Sequence, residues 1–230
     1  MKLSIIIPAY NEEKYIKDVI QRIKDVPLPF GLDKEIIIVD DKSTDRTAEI
    51  LRGYSLDSEI KLVFHKKNRG KSDALKKGID KSLGEIILIQ DADLEYSPKD
   101  YPELVRPIIE KGVDVVYGSR FKGSIKNMAF LNRVANIISN LTLNLFFGTR
   151  ITDINTCYKA FRKEVLDSVS LESSNFMFET EVTAKILKKG YKILEVPISY
   201  TARTREEGKK MNLPQAVQMY WGIIKYRFKQ

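Results

Sequence analysis

Two aspartates one residue apart, Asp91 and Asp93, directly follow the apolar run Glu85-Ile86-Ile87-Leu88-Ile89-Gln90, and Glu95 comes two residues later. Carboxylates this close repel one another and raise a pKa unless a cation or hydrogen bonds compensate. Hard oxygen ligands suit Mg²⁺ or Mn²⁺, ions that keep several waters and hold a nucleotide's phosphates. Asp91 and Asp93 are therefore candidate metal ligands and catalytic residues, because a bound ion helps a diphosphate to depart. An Asp-x-Asp pair alone also reads as a turn cap, so its surroundings decide.

Those surroundings alternate. Apolar β-branched runs at residues 3–7, 35–39, 61–64, 85–90 and 113–117 predict strands, and the stretches 14–26, 44–51, 72–82 and 98–110 predict helices. Strands that are apolar throughout are covered on both faces, which predicts an α/β fold with a mostly parallel, doubly wound sheet. In such sheets ligands bind at the carboxyl ends of the strands. Pro8-Ala9-Tyr10-Asn11-Glu12, Asp40-Asp41-Lys42-Ser43, His65 to Lys71 and Asp91-Ala92-Asp93 then share one crevice.

The second half predicts a helix over 127–147 with Leu131, Val134, Ile138, Leu141 and Leu145 on one stripe, ended by Gly148. A strand around 157–161, a short helix from Lys163, a helix over 179–189, a strand at 193–196 before Pro197 and a helix over 214–228 follow. No repeat or Pro/Gly linker marks a boundary, so residues 1–230 are expected to form one domain. Residues 1–118, which carry the crevice, are expected to form its nucleotide-binding half, and residues 119–230, with the carboxyl-terminal helix, the half that faces the second substrate.

At 230 residues and 43% hydrophobic content the chain can bury a sizeable core. Its formal charge of +8 favours an anionic partner, with basic residues concentrated late. No zinc-finger, basic-zipper or RNA-binding signature is present, so nucleic acid is not expected. The lone Cys157 fits a reducing cytoplasm, as a small buried group. The amino-terminal apolar run is too short for a secretion signal, and no apolar stretch reaches the roughly 20 residues that cross a bilayer. His65 sits in a lysine-rich loop without an evident carboxylate partner, which argues against acid/base work.

Ile5-Ile6-Ile7-Pro8-Ala9-Tyr10-Asn11-Glu12, Ile38-Val39-Asp40-Asp41-Lys42-Ser43-Thr44-Asp45 and Asp91-Ala92-Asp93 together resemble a family 2 glycosyltransferase of the GT-A fold, over most of the chain. Gly118-Ser119-Arg120-Phe121, residues 152–161 and Glu195-Val196-Pro197-Ile198-Ser199-Tyr200 are similar to its polyprenyl-phosphate (dolichyl-phosphate) mannosyl- and glucosyltransferase branch. The resemblance implies that Pro8, Tyr10, Glu12, Val39 and Asp41 surround the nucleoside, with Asp41 meeting the base. Lys71, Asp91 and Ala92 would complete the donor site, with Asp93 on the metal and Glu95 a third ligand where relatives often carry Gln.

A lipid phosphate acceptor is already ionised and needs cations to hold it in line. Arg120, Arg133, Arg203 and Arg205 are candidates, since guanidinium groups grip phosphate bidentately. Lys209 and Lys210, after Gly208, could close over phosphates. Asp153 would orient the acceptor or an arginine, or serve as base for a saccharide acceptor, while Glu179 and Glu181 would complement a helix dipole.

The expected reaction is inverting, metal-dependent transfer of a hexose from GDP-mannose or UDP-glucose to a polyprenyl phosphate. A saccharide acceptor and a non-catalytic nucleotide-sugar-binding subunit are the rivals. Nucleotidyl transfer lacks its Gly-rich loop. The final helix spaces Val217, Tyr220, Trp221, Ile224 and Phe228 as an apolar stripe with Lys225, Arg227 and Lys229 beside it, suited either to core packing or to a membrane interface. The lipid would be met by peripheral attachment at the cytoplasmic face or through a separate membrane subunit.

Overall fold

The computed structural model describes residues 1–173, 177–203 and 213–229, with the side chains of the last helix from Tyr220 onward. In the first half β1 (Lys2–Ala9), α1 (Ile16–Asp25), β2 (Asp33–Asp40), α2 (Thr47–Arg52), β3 (Ile60–Phe64), α3 (Lys71–Asp80), β4 (Ile86–Ile89) and α4 (Tyr101–Lys111) alternate. β5 (Val115–Lys126), α5 (Phe130–Phe147), β6 (Lys159–Arg162), α6 (Lys163–Asp167), α7 (Phe178–Lys188), β7 (Ile193–Thr201) and α8 (Leu213–Phe228) follow.

The strands form a seven-stranded sheet in the order β3-β2-β1-β4-β6-β5-β7. Only β6 runs against its neighbours. Successive residues of β1, β2 and β4 are buried whichever face they point to, which is why these strands read as unbroken Ile/Val/Leu runs. Reversing β6 places its amino end beside the carboxyl end of β4, so the loop before it, 150–158, lies at the same sheet edge as Asp91.

β5 and β7 run further than the sequence pattern suggests. Beyond a bulge between Ser119 and Ser124 they pair again, Ser124 to Ser199 and Lys126 to Thr201. At Gly123 an added Cβ would sit 2.0 Å from the Ile198 carbonyl oxygen, so only glycine permits this close approach. Pro197, expected to end the strand, is tolerated because β7 is the sheet edge.

The predicted stripe of α5 is not in the core. Leu131, Ile138, Leu141 and Leu145 are 79%, 49%, 63% and 81% exposed, whereas Ser139, Asn140 and Leu143 face inward. In α8, Ile223 and Tyr226 are buried, but Trp221 and Phe228 are exposed. No described helix is long and apolar enough to cross a membrane.

Candidate active site

A cavity of about 460 Å³ opens at the carboxyl edge of the sheet. Among the described residues its walls carry six carboxylates, Glu12, Asp41, Asp91, Asp93, Glu95 and Glu179, and three cations, Lys71, Arg120 and Arg203.

Asp91 leaves the end of β4 and meets Lys71 Nζ at 2.8 Å. Burial pushes its carboxyl up, but Lys71 and the Cys157 thiol, which donates a hydrogen bond, hold it below the usual range. Lys71 opens α3 after Gly70, whose φ of 89° lets the chain turn, and its ammonium also meets Glu179 Oε1 at 2.8 Å. Asp93 has the opposite balance: burial first, then the charge of Asp91, push it up to about 7, although Arg203 opposes them at 2.5 Å.

Lys71 thus compensates Asp91, whereas the charge of Asp93 is only partly offset by Arg203, and a dication would relieve it. Among the described residues no group of three His, Cys, Asp or Glu is gathered for a metal. Asp91 and Asp93 could offer carboxylate oxygens to such an ion. Glu95 is engaged elsewhere, accepting from Tyr200 Oη at 2.9 Å and the Arg203 main-chain N at 2.7 Å.

Pro8, Tyr10 and Ala92, expected at the nucleoside, line the cavity. Val39 does not; its side chain is wholly buried in the core, packed near Gly78 of α3. Asp41 organises the loop behind it, accepting from Arg69 N at 2.8 Å, Gly70 N at 2.7 Å and lying 2.7 Å from His65 Nδ1. His65 therefore has a carboxylate partner, contrary to the sequence expectation, and the pair serves to shape that loop.

Arg120, on β5, is fixed from behind. Asp153 takes its Nε and Nη2 at 2.7 Å each and its main-chain N at 3.0 Å, Asn136 accepts from Nη2, and the Tyr200 ring lies under the guanidinium. Asp153 is fully buried and not on the cavity wall. It is held in turn by Glu195, which accepts from the main-chain N of Thr152 and Asp153. Arg203 bridges Asp93 and Glu12, the latter at 3.0 Å, over the ring of Tyr15. Arg133 is exposed on α5, off the cavity wall. Arg205, Lys209 and Lys210 lie outside the described residues.

Sequence reasoning missed several participants. Glu179 lines the cavity beside Lys71 instead of merely facing a helix dipole, and Cys157 touches Asp91. Glu181 anchors the loop before α7, accepting from Glu172 N and Ser173 N. Asn136, Asn140 and Asn144, spaced by four along α5, bind loop 151–155. That asparagine repeat was the one visible signal.

The sheet, its reversed strand and the acidic crevice define a GT-A type fold. The structure is similar to glucosyl-3-phosphoglycerate synthase from Mycobacterium tuberculosis in complex with Mn²⁺, uridine diphosphate and phosphoglyceric acid, with a TM-score of 0.75 and 21% identity over 98% of this chain and 76% of that one. Residues 4–170 match glycosyl transferase family 2, and the chain belongs to that family.

It is 33% identical to a dolichol-phosphate mannosyltransferase of Pyrococcus furiosus, covering 91% of this chain and 59% of that protein. It is 32% identical to an uncharacterized Methanocaldococcus jannaschii protein, over 90% and 85% of the two lengths. A dodecaprenyl-phosphate galacturonate synthase of Rhizobium johnstonii is 26% identical, over 88% of this chain and 60% of the relative. The chain thus spans about three fifths of the length of the Pyrococcus and Rhizobium proteins.

Proposed function

We propose that the cavity transfers a hexose, with inversion, from a nucleotide sugar such as GDP-mannose or UDP-glucose to a polyprenyl phosphate. The observation that carries this reading is Arg120, a buried cation on the cavity wall whose direction is set by an equally buried carboxylate. Asp153, the candidate base for a saccharide acceptor, has both oxygens committed to Arg120 and no exposed surface, which favours an acceptor already ionised. The names of the Pyrococcus and Rhizobium relatives point the same way.

Pro8, Tyr10 and Asp41 would flank the nucleoside, and Asp91 and Asp93 would hold Mg²⁺ or Mn²⁺. When bound there, the ion would supply electrophilic stabilisation to the departing diphosphate. Lys71 reinforces Asp91. Arg120, with Arg203, holds the acceptor phosphate so that one oxygen attacks the anomeric carbon as the bond to the diphosphate breaks on the opposite face.

The inner face of α5, through Asn132, Ala135, Asn136 and Ser139, walls this cavity while its outer face presents the exposed apolar stripe. That arrangement supports peripheral contact with the cytoplasmic face of a membrane, where the lipid would arrive. The test is incubation with labelled donors and either a polyprenyl phosphate or free saccharides. Label extracted with the lipid and released by mild acid is expected; label only in saccharide would overturn the reading.

A further inference from the structure

Gln90, just beyond β4, is completely shielded from solvent and is not part of the cavity wall. Its side-chain oxygen accepts hydrogen bonds from the phenols of Tyr101 and Tyr158, each at 2.7 Å. Its amide nitrogen donates to the main-chain oxygen of Asp91 at 2.8 Å, and its own main-chain N donates to Ile6 at 3.0 Å. Both tyrosines are also fully buried, and burial pushes each phenol well above its ordinary range, so both remain donors. A reversed amide would set oxygen against oxygen at Asp91, so the network has one self-consistent arrangement.

Packing does not require it. Methionine at 90 and phenylalanine at 101 and 158 would fill almost the same space, and replacing both partners of a buried hydrogen bond by apolar groups is close to neutral. What the polar set adds is direction. It fixes the peptide joining Asp91 to Ala92, and with it the relative aim of the two carboxylates.

We infer that Gln90, oriented by Tyr101 and Tyr158, is a positioning residue that sets the Asp91–Asp93 pair for a divalent cation. This rests on the metal-binding reading above, with the network acting on the ligands from outside.

The test compares wild type, Gln90→Met and the triple variant Gln90→Met/Tyr101→Phe/Tyr158→Phe. Mn²⁺ is titrated with UDP or GDP present, free ion is followed by electron paramagnetic resonance, and thermal unfolding is recorded in parallel. Gln90→Met is expected to melt lower, because two phenols and a carbonyl lose their partner. It should also bind Mn²⁺ about ten- to a hundredfold more weakly. The triple variant should recover the part of the melting temperature lost through the two phenols, the Asp91 carbonyl still lacking its donor, yet keep the weakened Mn²⁺ affinity in full, a separation that a merely structural role would not produce.

Wild-type affinity in the triple variant overturns the inference and leaves the metal reading standing. Absence of Mn²⁺ binding by the wild type with either nucleotide overturns both. Should the triple variant not fold, Gln90→Met measured below its unfolding transition decides, and wild-type affinity there overturns the inference.

Discussion

Asp93 shows how one side chain can report on the whole site. In metal-free protein it keeps its proton up to about 7, whereas an unfolded aspartate loses it near the ordinary value of 3.8. Between those values the folded state binds the extra proton, so the contribution of Asp93 to stability falls as pH rises through the window and is level above it. Asp93→Asn removes this dependence. With chelator present, the melting temperature of the variant relative to wild type should climb from pH 4 to pH 7 and then flatten, and a constant difference across that range would contradict the assignment. Arg120→Lys keeps a charge for Asp153 but loses the bidentate fork. It should raise KM for the phosphorylated acceptor about tenfold while leaving nucleotide binding unchanged, a split read from initial rates and calorimetry.

That Asp91, Asp93 and Arg120 would meet at one cavity was legible in the sequence because each sits in a short local pattern. The partnerships of His65 with Asp41, Glu179 with Lys71 and Cys157 with Asp91 were not. Each joins segments far apart along the chain, and neither periodicity nor composition encodes which loops meet.

The same limit operates at the level of elements. β1, β2 and β4 were readable since burial on both faces leaves an unbroken apolar run. α5 was readable as a helix but not in its facing, because an apolar stripe looks alike whether it meets a core or solvent. What orients α5 is polar: Asn140 accepts from Ile154 N and donates to the Thr152 carbonyl, and Asn144 pairs with both main-chain groups of Ile151.

Asn140→Ala leaves those loop groups unpartnered. It should cost about 1–3 kcal/mol in denaturant unfolding and slow transfer with little change in nucleotide affinity. At β5, Gly123→Ala drives a methyl group into the Ile198 backbone and should destabilise by about 1–3 kcal/mol, measured in the same way. Wild-type stability in either variant would remove the structural role given to that position.

Across the whole molecule, one sheet joins the early and late parts of the chain: β6, late in the sequence, hydrogen-bonds between β4 and the start of β5, Val115–Tyr117. In the proposed reading the donor would lie over the carboxyl ends of β1, β2 and β4, and the acceptor against α5, β5 and the loop before β6. The exposed stripe of α5 then lies on the outside of a wall whose inside holds the proposed chemistry. Leu141→Asp/Leu145→Asp should reduce co-sedimentation with anionic phospholipid vesicles and lower transfer to a vesicle-borne acceptor, yet leave nucleotide binding intact. Undiminished sedimentation would detach α5 from the membrane.

In the proposed reaction Asp91 and Asp93 hold a divalent ion against the donor's diphosphate. The most direct measurement is the rate of sugar transfer from labelled donor to polyprenyl phosphate by wild type with Mg²⁺ or Mn²⁺, by chelator-treated wild type, and by Asp93→Asn with folding verified. Transfer restored by added metal in the wild type, together with a loss of at least about a hundredfold in the variant, is the predicted result. An undiminished rate after chelation, or in Asp93→Asn, would contradict it.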